Sequence, residues 1–381
     1  MTVQAERATG RAAMYNDNTF KIGFFGANCS SGRFCTTVPE RWSGEWSDCL
    51  RLAKMMDDGG LDFMLPIGRW KGYGGETDYQ GSTYETITWA TGLLAATKRL
   101  TVFGTVHAPL FHPLIAAKQM VTADHVGQGR FGLNVVCGWN EDEFDMFGVD
   151  AKDHAGRYRQ GQEWLDVMRE AWTKDNFDYS GEFYELKGVR EKPKPFGGTL
   201  PLTMNAGSSG EGRAFALRNC DAWFTSVRLD GSQREADLET AIPKIQEAKA
   251  EARTHGREIG VYTVGVVVCR PTRKEAEEYH RYVTLDHADW GAIDHTLAMK
   301  GLDKLSPADV EHHRRAYANG HGGLPLIGTP DDVADILAKM SRAGFTGIGL
   351  SFVNYADELP YFLDEVVGRL ERLGLRKSAP A

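Results

Sequence analysis

Long apolar runs are missing from this 381-residue chain. The longest, VYTVGVVVC at 261–269, falls well short of the ~20 residues that a membrane-spanning helix needs, so no transmembrane segment is expected. The first 19 residues are polar and lack the apolar core of a secretory signal, which points to a cytoplasmic protein. Excess positive charge is missing too. The net charge is −8 with Lys and Arg spread along the chain, which argues against nucleic-acid binding. Cysteine is sparse: Cys29, Cys35, Cys49, Cys137, Cys220 and Cys269 form no CxxC pair, so neither a disulfide framework nor a zinc motif is expected. HxH and HExxH pairs are absent, which leaves no metal site to predict. Without a GxSxG elbow a hydrolase triad has no anchor.

What is present is an ordinary globular composition, 42% hydrophobic and 25% charged, which excludes a disordered or fibrous chain. Eight apolar runs read as strands: 21–26, 63–65, 100–106, 130–136, 202–206, 221–225, 261–269 and 347–352. Helical patterns separate them, at 46–58, 83–97, 113–125, 157–172, from Ser209, at 235–255, from Thr272 and at 358–373. Thr329-Pro330-Asp331-Asp332 is a strong helix start, with a capping hydroxyl, a proline at the first helical position and two carboxylates at the positive end of the dipole. Residues 177–190 read as a hairpin around Ser180-Gly181, the segment between the strand ending at 136 and the helix from about 157, with Trp139, Glu141, Glu143 and Asp145, as a long loop, and the polar stretch 285–326 as an insertion.

Strands that are apolar on both faces belong in a parallel sheet covered by helices. Eight such units predict an α/β protein, a (βα)8 TIM barrel with loop insertions, against the competing open doubly wound sheet. The expected organisation is a flexible N-terminal tail over 1–19 and one barrel domain over 20–375.

Barrel chemistry gathers where strands end. There the sequence offers Ile67, Gly68 and Trp70 after the second strand, Thr105 and His107 on the third, and Asn134, Trp139 and Glu143 on and after the fourth. After the fifth comes NAGSSGEG at 205–212. A Gly/Ser turn opening a helix points free N–H groups outward, so Gly207, Ser208 and Ser209 make either a phosphate cradle or a plain capped turn. Its glycine spacing is not that of a dinucleotide fingerprint. Arg157 and Tyr158 can supply a guanidinium and a hydroxyl to the same anion, or simply lie at the surface. Asn134 sits in the otherwise apolar RFGLNVV, where a buried amide needs partners.

Taken with KGYGGETDY at 71–79, LAATKRLTVFGT at 94–105, GQGRFGLNVVCGWNEDEF at 127–144, GRYRQGQEWL at 156–165, NAGSS at 205–209 and LIGTPDDVA at 326–334, the chain resembles the bacterial luciferase-like, FMN-dependent monooxygenases. Within them it is similar to the group containing the pyrimidine and dimethyl sulfone monooxygenases. That resemblance implies a luciferase-like barrel that takes reduced FMN from a separate NAD(P)H-dependent flavin reductase. It implies insertion of oxygen from O2 into a small organic substrate, a pyrimidine or other N-heteroaromatic or a sulfone, through a flavin peroxide. A deazaflavin-dependent oxidoreductase on the same fold, or a non-catalytic flavin-binding protein, are the alternatives. The resemblance implies FMN contacts at Ile67, Gly68, Asn134, Glu143, Arg157, Tyr158 and Ser209, which makes Gly207–Ser209 a phosphate site. It implies that donors on Thr105 and Asn134 steer oxygen, and it suggests a homodimer or homotetramer. Trp70, His107 and Trp139 are candidates for the substrate wall. Ser208 and Arg69-Trp70 depart from the pyrimidine group's pattern, which bears on the substrate more than on the cofactor.

Overall fold

The computed structural model describes residues 13–150, 152–225 and 234–378. Eleven strands are present among them: β1 (Lys21–Phe25), β2 (Phe63–Leu65), β3 (Thr101–His107), β4 (Phe131–Val136), β5 (Phe177–Ser180), β6 (Glu185–Val189), β7 (Leu202–Asn205), β8 (Ala222–Phe224), β9 (Gly260–Cys269), β10 (Leu324–Gly328) and β11 (Gly347–Ser351). Eight of them close a parallel cylinder in the order β1-β2-β3-β4-β7-β8-β9-β11, with β11 back on β1. The eight predicted strands are these eight, and the fold is the closed (βα)8 barrel rather than the open sheet.

The cylinder is filled, not hollow. Phe63, Phe103, Met204, Phe224 and Tyr262 point inward and pack on one another. Phe63 meets Phe103 and Tyr262 edge-on, at centroid distances of 6.1 and 5.8 Å. Gly132 on β4 is needed for this, because a Cβ there would lie 2.5 Å from the Phe103 ring. The outward faces, including Leu133, Val135, Ile348 and Leu350, pack under the surrounding helices. This two-sided burial is why the strands read as continuous apolar runs.

Three expectations are corrected. The tail expected over 1–19 is anchored from Met14 onward. Met14 belongs to the barrel-interior cluster, and the side-chain amides of Asn16 and Asn18 donate to the fully buried Asp62 at 2.8 and 2.9 Å. Residues 1–12 lie outside the described residues. The stretch read as a long loop contains a helix, Glu141–Phe147. Three acidic residues fill its first turn and Gly148 ends it at φ 63°, which suits the dipole and the left-handed cap. Finally, the insertion read as 285–326 ends in β10, which pairs in parallel with the outer half of β9 (Leu324 with Gly265 through Gly328 with Cys269). The insertion carries two helices, Trp290–Met299 and Pro307–Ala318. It is fastened by Asp289, whose carboxylate accepts from the backbone of Glu76, Thr77 and Ala292.

Other details follow the sequence closely. The hairpin is β5–β6. Thr329 forms a capping box with Asp332, with Pro330 at the first helical position. All six cysteines are buried free thiols.

Candidate active site

Inward-facing positions alternate along β3, so Phe103 in the core places Thr105 and then His107 higher on the same face. The β3–β4 register sets Asn134 beside Thr105. Both are buried, at 8% and 6% exposure. Thr105 is locked in place. Its N–H and C=O both bond the Thr86 hydroxyl, and its own hydroxyl donates to the Pro66 carbonyl at 2.6 Å.

That last bond orients Asn134. A carbonyl only accepts, so the Thr105 hydrogen is committed to Pro66 and its oxygen is free to accept. The Asn134 atom 3.2 Å away is therefore the amide nitrogen. The carbonyl oxygen of Asn134 is left buried with no partner in the protein. An unmet buried acceptor is costly, and its natural occupant is a ligand donor. Thr105 thus has no hydrogen to offer, contrary to the expectation that both residues present donors.

The neighbouring segment after β2 is pinned by Asn28, whose amide bonds both the N–H and the C=O of Ile67 at 2.7 and 2.9 Å. Gly68 abuts His107 and Thr105, each 3.1 Å from where a Cβ would stand. Ile67, Gly68, Thr105, His107 and Asn134 are therefore brought together at the mouth.

Glu143 is there too, 2% exposed. It accepts from Arg69 at 3.2 Å and from the Trp70 N–H at 2.9 Å. His107 Nδ1 lies 3.9 Å from its other oxygen. Burial, opposed by Glu143 and assisted by Arg69, pushes His107 down to about 4, so at neutral pH the imidazole is uncharged and the Arg69–Glu143 pair carries the electrostatics. The three residues expected to wall a substrate do not form one surface. Trp70 turns outward onto Phe111 and Phe147, beside a small cleft that Gly68, Thr86 and Thr105 also line. His107 is buried under Gly68. Trp139 lies between two cations, 5.2 Å from Arg69 and 5.0 Å from Lys300.

The turn after β7 is built from backbone. Asn205 ties it to β4 by donating to the Val135 carbonyl and accepting from the Gly207 N–H. Ser209 caps the helix Gly210–Asn219, its hydroxyl accepting from the Gly212 N–H at 3.1 Å. Gly207 and Gly212 touch. A Cβ on Gly207 would lie 2.5 Å from the Gly212 Cα, and one on Gly212 would lie 2.4 Å from the Tyr158 hydroxyl oxygen. The Tyr158 hydroxyl stands beside the Ser209 side chain. Arg157 stands alongside with its Nε buried and unpartnered. Ser208 is exposed. The turn is a helix N-terminus flanked by hydroxyls and an incompletely satisfied guanidinium, the donor set of a phosphate site. A phosphate-tailed cofactor with a donor-bearing ring therefore fits the residues present. The turn would take the tail, and the Asn134 oxygen would meet the ring.

Fold and site together define a (βα)8-barrel enzyme whose functional groups sit at the C-terminal ends of the strands. More narrowly, the chain belongs to the luciferase-like monooxygenase family, whose model matches residues 24–347. A relative described as FMNH2-dependent dimethylsulfone monooxygenase, from Pseudomonas fluorescens, is 29% identical over 93% of this chain and 95% of its own length. Pyrimidine monooxygenase RutA from Allorhizobium ampelinum is 28% identical over 90% and 94%. A solved riboflavin lyase, described with modified FMN and riboflavin, superposes with a TM-score of 0.82 at 22% identity over 95% and 94% of the two chains, and so shares the fold. No helix of the described residues is long and apolar enough to cross a membrane.

Sequence reading missed Arg33, Lys300 and His321, which the structure also brings to the mouth, and passed over the pairing of Arg69 with Glu143. Local pattern carried no signal for them, since each lies in a glycine-containing loop that reads as solvent-facing.

Proposed function

We propose that the chain is a reduced-FMN-dependent monooxygenase that inserts one oxygen atom of O2 into a small organic substrate, with reduced flavin supplied by a separate reductase. One observation carries this reading: the buried, unpartnered carbonyl oxygen of Asn134 at the mouth of a barrel that also holds a backbone anion cradle. Reduced FMN, when bound, supplies the electrons that activate O2. Gly207, Ser208 and Ser209, with Arg157 and Tyr158, would hold its phosphate. Ile67, Gly68 and Asn134 would border its ring. Asn134 offers an acceptor, which suits the N–H that only the reduced ring carries at its central nitrogen. Thr105 holds that acceptor in its orientation, and Glu143 stays committed to Arg69 and Trp70. Preorganised dipoles of this kind need no rearrangement when charge develops.

The test is binding first and turnover second. Asn134→Ala should weaken reduced FMN about tenfold while leaving oxidised FMN unchanged, because an unmet buried hydrogen bond is worth about 1–3 kcal/mol. Anaerobic titration followed by flavin absorbance reads this. Wild-type protein with reduced FMN should then consume O2 in the presence of an accepted substrate. Equal loss of both flavin forms would remove Asn134 from its role. Turnover with a reduced deazaflavin and no oxygen uptake would overturn the monooxygenase reading.

A further inference from the structure

One corner of the mouth holds buried positive charge with too little negative charge to meet it. Arg33 follows β1 and is 9% exposed. One of its amino groups donates to the Gly320 carbonyl at 2.7 Å. Its guanidinium lies 4.7 Å from the centre of the inward-facing Phe25 ring, and its Nε is buried with no partner. Among the described residues no carboxylate pairs with it. Lys300, exposed at the rim on the insertion, rests on Trp139 and Tyr317 at 5.0 and 5.1 Å and likewise has no carboxylate partner among them. Arg69 is the third cation and the only one of the three offset, by Glu143.

The three charges surround one side chain. His321 sits between Gly320 and Gly322 at φ 56°, a backbone strained for a non-glycine residue. It is stacked on Tyr79 at 5.2 Å and 15°. Burial first, then Arg33, Lys300 and Arg69, hold its imidazole well below its ordinary value, so it adds no fourth charge. A buried guanidinium without a counter-ion is unfavourable unless something of opposite sign completes it. The phosphate cradle after β7 cannot be that partner's seat, because β2, β3 and β4 lie between β1 and β7 in the cylinder.

We propose that this corner recognises the charge of the substrate, and that the substrate is a small organic anion bearing a carboxylate or sulfonate. Arg33 meets the oxyanion with its planar fork, and Lys300 draws it in from the rim. The word substrate rests on the flavin monooxygenase reading; the anion site itself does not.

The experiment is calorimetric titration of wild-type protein, with and without FMN, using benzoate and benzenesulfonate against their neutral counterparts benzamide and methyl phenyl sulfone. The anions should bind about tenfold or more tighter than the neutral compounds, and less so as salt rises. The tighter of the two anions identifies the oxyanion. Arg33→Gln should abolish the preference, and Lys300→Gln should reduce it about twofold to threefold, as a rim charge does. Equal binding of anions and neutral compounds by the wild type overturns the proposal, as does a preference that survives Arg33→Gln. So does an Arg33→Gln variant that loses FMN instead, since Arg33 would then serve the cofactor. If Arg33→Gln fails to fold, Lys300→Glu on the exposed rim must still lower the preference, or the proposal falls. Flavin fluorescence reads FMN binding separately. Anion preference without FMN binding sinks the flavin reading alone, and FMN binding without anion preference sinks this one alone.

Discussion

The two sides of the barrel mouth are made of different materials. On the β7 side, the site is chiefly backbone: a turn of touching glycines, a capping hydroxyl and the open N-terminus of a helix, with Arg157 and Tyr158 flanking it. On the β1–β4 side, it is buried side chains: Arg33, Arg69, His107, Asn134 and Glu143, each about nine-tenths buried or more at the side chain. A backbone site presents fixed partial charges that cost little to keep. A side-chain site stores larger charges, each of which destabilises the fold when its partner is taken away. Away from Gly207 and Gly212, where a Cβ has no room, the first side can tolerate side-chain substitutions that the second cannot.

Removing Glu143 is the strongest challenge to that contrast. Glu143→Gln leaves the Arg69 guanidinium buried without counter-charge, and should lower unfolding free energy by about 3–5 kcal/mol in urea denaturation. An Arg69→Met, Glu143→Met double variant should recover most of that loss. If the single variant costs under about 1 kcal/mol, the pair behaves as a surface ion pair and the contrast fails.

The next effect is smaller and depends on pH. His107 has an ordinary value of 6.5 and a folded value of about 4. Above pH 6.5 both folded and unfolded chains carry it neutral, and stability is full. As pH falls below 6.5 the unfolded chain binds the proton first, so stability drops until about pH 4, by roughly 3 kcal/mol in all. Urea midpoints measured between pH 7 and 4.5 should slope accordingly, and His107→Asn should flatten the slope. An unchanged slope would mean that another group sets it.

The smallest effect belongs to the backbone side. Ser209→Ala removes the helix cap and should cost about 1 kcal/mol of stability. FMN affinity should fall modestly, because the N–H groups remain. A loss of several kcal/mol there would show that the turn depends on its side chains as heavily as the opposite side does.

The same division explains what the sequence disclosed. NAGSSGEG is contiguous, so the turn, its cap and its helix can be read from eight neighbouring letters. The eight barrel strands are equally local, each a short apolar run. Arg33 lies hundreds of residues from Lys300 and His321 in the sequence, and only closure of the cylinder brings the three together. Asn134 could be singled out as polar in an apolar strand, yet which of its atoms is free depends on a Thr105 hydroxyl that bonds Pro66. The helix Glu141–Phe147 is seven residues long, too short to show a period. β10 escaped because its five residues close a polar stretch.

β10 also limits how the mouth can move. β9 leaves the cylinder at its outer half and is bonded there to β10, the return strand of the insertion. A hinge that carried β10 along with those helices would have to tear a parallel ladder out of the wall of the enzyme. The closing end of the insertion is masonry rather than a door, and any swing of its two helices has to pivot between the Asp289 anchor and β10.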